Sequence, residues 1–288
     1  MSSFGHFGRQ LGAWLEVAGD AVVSVFYPAG CWLCDQLLTR ATRLPICEEC
    51  LASFAALPLP VCDICGSPVV TPFALNALKP VAVAIGQEAS IASARFETRR
   101  LGCLGCLGRT FAFERARSYA AYEGRLIRAI VMLKFERIEP LAVWFAERLA
   151  NVVQREHLAA DIVVPVALHR QRENERGYNQ ADLIARPLAR KLGLPYRAVL
   201  LMRTKPRPDQ HILSLSERWE SVRGAFATRP GSQVDNLRVL LVDDVLTTGA
   251  TLDACAKALR QAGAKSVIGL TVARAIRHPV QGSSYEFH

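Results

Sequence analysis

Two patterns in this chain could do chemistry: a pair of adjacent carboxylates ahead of a threonine-rich turn, and cysteines spaced in twos. The first is the run Val239-Leu240-Leu241-Val242-Asp243-Asp244-Val245-Leu246-Thr247-Thr248-Gly249-Ala250-Thr251. Four apolar residues read as a buried parallel strand, with Asp243 and Asp244 where it ends. A small-residue turn follows, then Leu252, Cys255, Ala256 and Leu259 at helical spacing, with Gly263 as a stop. In an open α/β sheet, ligands bind at the turn between strand end and helix start. Backbone N–H groups of such a turn can close around an anion, aided by the helix dipole. Two carboxylates pointing at that anion would repel it. A ligand with a phosphate at one end and hydroxyls or a metal at the other resolves the conflict, and a ribose 5-phosphate has that form. An ordinary strand-turn-helix corner would explain Gly249 alone, but not two Asp followed by three Thr in five positions.

Eight of the nine cysteines form four pairs with two residues between: Cys31/Cys34, Cys47/Cys50, Cys62/Cys65 and Cys103/Cys106. That spacing lets two thiolates on one tight turn meet the same tetrahedral metal, and two such turns complete a four-sulfur zinc site. Eight ligands make two structural zinc ions. Gly66, just behind Cys65, lets its turn close. A disulfide framework is the alternative, but a secretory signal is not expected here. Four copies argue against a redox pair. Consecutive pairing makes two zinc ribbons in series; the spacing does not exclude an interleaved arrangement. Cys255, on the helix after the turn, reads as a small core residue.

Composition narrows the class. The chain has 288 residues, enough for more than one domain, and is about half apolar. Leu11 to Ala29 comes closest to a membrane span, but Glu16 and Asp20 interrupt it, so no integral membrane segment is expected. It reads as an amphipathic helix packing on the segment next to it in the chain, with a membrane-surface role as the minor alternative. Residues 1–110 hold eight basic and eight acidic side chains, so the whole net charge of +9 lies in residues 111–288. A basic half around an anion-binding motif suits a polyanionic ligand, a phosphorylated sugar or a nucleic acid; the bland alternative is solubility.

These residues must be positioned by the elements around them. A short strand is expected over 119–122, a helix through Leu126, Ile127, Ile130 and Val131 to Lys134-Phe135, and a second helix over 141–157. Residues 161–166 read as another buried strand and 169–178 as a basic loop. Asn179 should cap a helix through Leu192, kinked at Pro187 and stopped by Gly193. Residues 203–210 read as a mobile loop, and Ser214 or Ser216 as the start of a short helix. Strands at 238–242 and 266–273 flank the helix that starts at Thr251. The alternation implies an α/β fold, a parallel sheet with helices on both faces, preceded by a small zinc-ribbon domain. The expected division is an N-terminal helix over 1–30, a double zinc ribbon over 31–110, the α/β domain over 111–277 and a tail over 278–288.

The Asp243–Thr251 segment resembles the phosphoribosyl pyrophosphate (PRPP) loop of type I phosphoribosyltransferases. The ordered set narrows this further. Four Cys pairs precede Leu133-Lys134-Phe135, then come Val164-Pro165-Val166, Arg176-Gly177-Tyr178-Asn179-Gln180, Gln210, Leu213-Ser214 and Glu217-Arg218, and the acidic loop last. The order is similar to that of the ComF family (ComFC or GntX-like proteins), competence-associated phosphoribosyltransferase-like proteins with an N-terminal double zinc ribbon. The likeness covers about residues 31 to 275. It departs from the family pattern at Arg207, at Ser221 and in the long insert between the third and fourth Cys pairs.

The resemblance implies roles residue by residue. Asp243 and Asp244 would bind the ribose hydroxyls and help place Mg²⁺. Thr247, Thr248, Gly249, Ala250 and Thr251 would cradle the 5′-phosphate. Lys134 would face the pyrophosphate, with Arg170, Arg172 and Arg176 in a second loop around it; surface pairing with Glu173 and Glu175 is the plain alternative for the arginines. The catalytic set would be Asp243, Asp244, Lys134 and Arg176. The function implied is a cytoplasmic PRPP-binding protein associated with DNA uptake, with single-stranded DNA and the competence machinery as further partners. Pentosyl transfer from PRPP and non-catalytic handling of single-stranded DNA with PRPP as ligand stand as its two forms. No segment reads as a selector for an acceptor base.

Overall fold

The computed structural model describes residues 30–38, 43–69, 101–206 and 215–276. The expected N-terminal helix, Gln210, Leu213, Ser214 and the tail lie outside them. The chain divides into two compact units: residues 1–55 with 123–141, and residues 56–122 with 142–288.

The first unit holds the first two Cys pairs. Cys47 is the N-cap of a short helix, α1 (Glu48–Ala52), and its thiol accepts the Cys50 N–H. Helix α2 (Gly124–Phe135) completes the unit. Leu126, Ala129, Ile130 and Leu133 recur at helical spacing, and all four are buried. The Arg128 guanidinium of α2 donates to the Leu33 carbonyl, between Cys31 and Cys34.

The second unit is built on a four-stranded parallel sheet in the order β1-β6-β5-β2. Its strands are β1 (Arg115–Ala121), β2 (Ile162–Pro165), β5 (Arg238–Leu246) and β6 (Ser266–Arg274). β3 (Leu201–Arg203) and β4 (Phe226–Thr228) form a separate antiparallel pair. The chain steps from β1 to the far edge at β2, then returns through β5 to β6. Right-handed crossovers therefore place α3 (Glu139–Arg155) on one face, and α5 (Gln180–Leu192) and α7 (Ala250–Gln261) on the other. Trp144 of α3 stacks edge-on against Tyr119 of β1 at 5.8 Å. α5 packs on β2 and β5, and α7 on β6 and the small pair. β2, buried on both faces although it lies at the sheet edge, reads Ile162-Val163-Val164-Pro165 without alternation, as a parallel strand covered on both faces does.

Several expectations hold and several move. Asn179 caps α5, its side-chain carbonyl accepting the Ala181 N–H at 3.0 Å, and Gly193 ends the helix at φ 66°. Pro187 lies inside α5, which runs on to Leu192. β1 begins at Arg115, four residues before the expected start, because Arg117 is buried by pairing with Glu156 at 2.9 Å. Residues 170–176 are not a loop but a helix, α4 (Arg170–Arg176), capped by His169 and ended by Gly177 at φ 75°. No residue of α4 is buried, so it carries no apolar periodicity to read. A short helix follows β3, α6 (Leu215–Glu220).

Candidate functional site

Each four-cysteine site is assembled from two consecutive pairs. Cys31, Cys34, Cys47 and Cys50 form one group, and Cys62, Cys65, Cys103 and Cys106 the other, with all sulfurs of a group within 4.8 Å of one another. The interleaved pairing is excluded. Sulfur separations of 3.7 Å for Cys31–Cys50 and Cys34–Cys47, and 3.6 Å for Cys65–Cys103, test the fit to a metal. A tetrahedral ion with Zn–S bonds of about 2.3 Å needs edges of about 3.8 Å. The groups match that ion, and these are structural zinc sites with no open ligand position.

The second site is joined to the sheet. The Ala116 N–H of β1 donates to the Ile64 carbonyl at 2.6 Å, and Arg117 donates to the Asp63 carbonyl at 3.1 Å. Across the long insert, the Asp63 N–H meets the Leu101 carbonyl at 2.8 Å, and the Leu101 N–H meets the Asp63 carboxylate at 2.7 Å. Gly66 sits at φ 65°, where a Cβ would lie 2.9 Å from the Ala116 carbonyl oxygen. Glycine is needed there for the backbone angle and for the close approach alike.

The acidic pair sits differently from its expected place at a strand end. β5 does not stop at Val242 but continues to Leu246, because Asp243, Val245 and Leu246 keep their register with Thr271, Ala273 and Arg274 of β6. β2, on the other side, ends at Pro165 opposite Val242. From Asp243 onward β5 therefore has one paired edge and no β2 partner on the other. Alternation along the strand puts the two carboxylates on opposite faces, Asp243 half-buried and Asp244 buried. The Asp244 N–H donates to the Asp243 carboxylate at 2.9 Å.

The turn follows at once. Gly249 caps α7 at φ 85°, a left-handed conformation that glycine adopts without strain. The Ala250 N–H meets the Thr248 hydroxyl at 3.2 Å, and α7 starts at Ala250, one residue ahead of the expected Thr251. The first N–H groups of a helix have no partner within it, so this turn offers donors and a positive dipole end.

Arg176, in the last turn of α4, donates to the Gln180 side-chain carbonyl at 2.9 Å. Burial pushes its pKa down from the usual arginine value, Arg172 adds to that, and Asp244 opposes it. The guanidinium thus lies within electrostatic reach of Asp244. Arg172 and Arg176, four apart, share a face of α4; Arg170 falls on another and is exposed. Lys134 closes α2 in the first unit, where a cation complements the helix dipole.

Four further residues at the site carry almost no sequence signal. Asp253, buried in the first turn of α7, accepts the Ala112 N–H at 2.7 Å and pairs with Lys257 at 2.7 Å. Phe111 and Phe113, 4.8 Å apart, lie against Gly249. Arg274, at the end of β6, is buried and donates to the carbonyls of Leu246 and Thr247. An arginine ending an apolar strand was the one visible hint.

The fold and the two sites define a phosphoribosyltransferase-type α/β domain carrying a double zinc ribbon. Comparison with known proteins agrees: residues 142–282 match the phosphoribosyl transferase domain and residues 22–79 the double zinc ribbon domain. The chain is 32% identical over 172 residues to DNA utilization protein YhgH of Escherichia coli K12, covering 58% of this chain and 75% of that one. It is 29% identical over 245 residues to the YhgH protein of Salmonella typhimurium, covering 83% and 94%. It is 37% identical over 116 residues to competence protein F of Haemophilus influenzae, covering 40% and 51%. The chain belongs to the ComF family, phosphoribosyltransferase-domain proteins linked to competence and DNA utilization. Among the described residues, no helix is long and apolar enough to cross a membrane.

Proposed function

We propose that this chain is a cytoplasmic protein that binds PRPP with Mg²⁺ at the Asp243–Thr251 segment. The observation that carries this reading is the opening of β5 beyond Pro165, which leaves two carboxylates immediately ahead of an N–H-rich turn. Thr247 to Thr251 would take the 5′-phosphate, and Asp243 and Asp244 the ribose hydroxyls and the cation. Mg²⁺ prefers oxygen ligands and keeps several waters, so one carboxylate of the pair, with the ligand's own phosphates, would suffice to hold it.

The remaining cations would serve the pyrophosphate. Arg176 already feels the charge of Asp244, and Arg172 lies on the same side of α4. Departure of pyrophosphate develops negative charge, which fixed guanidinium groups stabilise without reorganising. Arg170 and Lys134 complete the set that the family resemblance implies. Transfer to a nitrogen acceptor is the enzymatic form of this reading. Its alternative, handling of single-stranded DNA with PRPP as ligand, draws on the +9 charge of residues 111–288 and on relatives named for competence and DNA utilization.

Calorimetric titration of the zinc-loaded chain with PRPP and Mg²⁺ tests the site. Binding should be saturable. It should weaken by at least about tenfold in Asp243→Ala/Asp244→Ala, since a hydrogen bond to a charged group contributes about 1.5–3 kcal/mol. A folded wild-type chain that does not bind PRPP overturns the ligand assignment. Where PRPP binds, pyrophosphate release on screening nucleobases would select the transferase form. Salt-sensitive binding of single-stranded DNA without release would select the other.

A further inference from the structure

We propose that Arg274 is a positioning residue that couples the second zinc site to the anion-binding turn. The proposal rests on the PRPP assignment for what the turn binds, but its physical content does not need the ligand. Arg274 ends β6, with only 7% of its surface exposed. One end of its guanidinium points at the zinc site: Nη2 lies 3.4 Å from the Cys65 sulfur. The other end, Nη1, donates to the Leu246 carbonyl at 2.9 Å, to the Thr247 carbonyl and to the Ala275 carbonyl at 3.2 Å. A rigid planar fork thus spans the metal ligand and the first residues of the turn, which no flexible lysine stem could do.

The chemistry at each end gives the contact a purpose. Four thiolates around Zn²⁺ leave a doubly negative centre, and a buried guanidinium beside it is the counter-charge that such burial requires. At the other end, the carbonyl of one residue and the N–H of the next share a rigid peptide plane and point in opposite directions. Holding the Leu246 and Thr247 carbonyls toward Arg274 therefore turns the Thr247 and Thr248 N–H groups away from it, into the turn where an anion would sit. The zinc centre fixes the fork, and the fork fixes the donors.

A second seam ties the same ribbon to the same turn. Phe111, which packs on the second cysteine group, also lies against Gly249, and the neighbouring Ala112 N–H is held by Asp253 of α7. Loss of the second zinc ion would loosen both supports at once.

The test uses the full, zinc-loaded chain as wild type, Arg274→Met and Arg274→Lys. It follows amide hydrogen exchange of residues 247–251, zinc release to a chelator with alkylation reporting which cysteines open, and titration with PRPP and Mg²⁺. In R274M, exchange of the Ala250 amide, which the Thr248 hydroxyl holds, should quicken by about tenfold or more, the loss expected for hydrogen bonds from a charged donor. Zinc should leave Cys62–Cys106 faster than in wild type, with Cys31–Cys50 unaffected. R274K should lie between, keeping the charge but not the span. Reciprocity requires that PRPP raise the equilibrium zinc affinity of the second site, read by chelator competition, in wild type and not in R274M. Unchanged exchange in a zinc-loaded R274M overturns the coupling. If R274M does not fold, the same comparison is made in R274K, where wild-type exchange and wild-type zinc release overturn it equally. A wild type that fails to bind PRPP, yet loses turn protection as the second zinc leaves, keeps the coupling and removes only the ligand assignment.

Discussion

The Ala112 N–H donates to the Asp253 carboxylate at 2.7 Å, joining the segment behind the second zinc site to the first turn of α7 across 141 positions of sequence. Asp253 is 2% exposed and its other partner, Lys257, reaches in from the surface. The contact turns a generic helix-start carboxylate into the anchor that holds residues 111–113 under the turn.

Asp253→Ala should therefore destabilise the second unit by about 1–3 kcal/mol, the cost of leaving a buried donor unsatisfied. Asp253→Asn, which keeps one acceptor, should lose less. Urea unfolding followed by tryptophan fluorescence would check both, and equal midpoints for all three chains would remove Asp253 from this role.

The two positive-φ glycines at the sites should respond unequally to alanine. Gly249→Ala meets only ordinary contacts, 3.6 Å from Phe111, so its cost is the left-handed backbone alone, about 1–2 kcal/mol. Gly66→Ala adds a contact of 2.9 Å with the Ala116 carbonyl oxygen, part of the rigid sheet. Thermal melts should place G66A below G249A. G66A should also lose zinc from the second site, because the knuckle must lift off β1.

Metal content should be two zinc ions per chain, falling to one with Cys34→Ser or with Cys103→Ser, as read by mass spectrometry of the intact protein. Acidification should release both, since protons compete for thiolates. A content of one in wild type would contradict the two closed tetrahedra.

The Arg238 guanidinium holds the Asp161 carboxyl at about 2, below its ordinary 3.8, through bonds of 2.6 and 3.1 Å. A carboxylate lowered by folding stabilises the native state above its unfolded pKa, and that stability fades as pH falls from about 4 toward 2. Asp161→Asn should flatten this part of the acid-stability curve while leaving the curve near neutrality parallel to wild type. The pair is partly exposed, so salt should weaken the difference.

Local chemistry was legible from residues alone wherever the reacting groups are neighbours in sequence. Cys-x-x-Cys turns and the Asn179 and Gly193 caps each need only a few adjacent residues, and each appears where it was expected. Elements without an apolar rhythm were not legible. α4 buries nothing and so read as a loop, and the first half of β1 hid behind Arg115 and Arg117. Asp243 and Asp244 look like a strand end because carboxylates are poor strand formers, but pairing with β6 overrides that preference.

What the sequence by itself determined is the alternating α/β plan and the cysteine ligands of the two zinc sites, because spacing along one turn or strand is a local constraint. Only the tertiary structure decided which Cys pairs share a metal, that β2 stops short beside Asp243, and that Arg274 meets Cys65 across 209 positions. Those contacts depend on strand order and on the burial of individual charges. Neither leaves a periodic trace in the chain, since the partner that makes a buried arginine tolerable is brought to it only by folding.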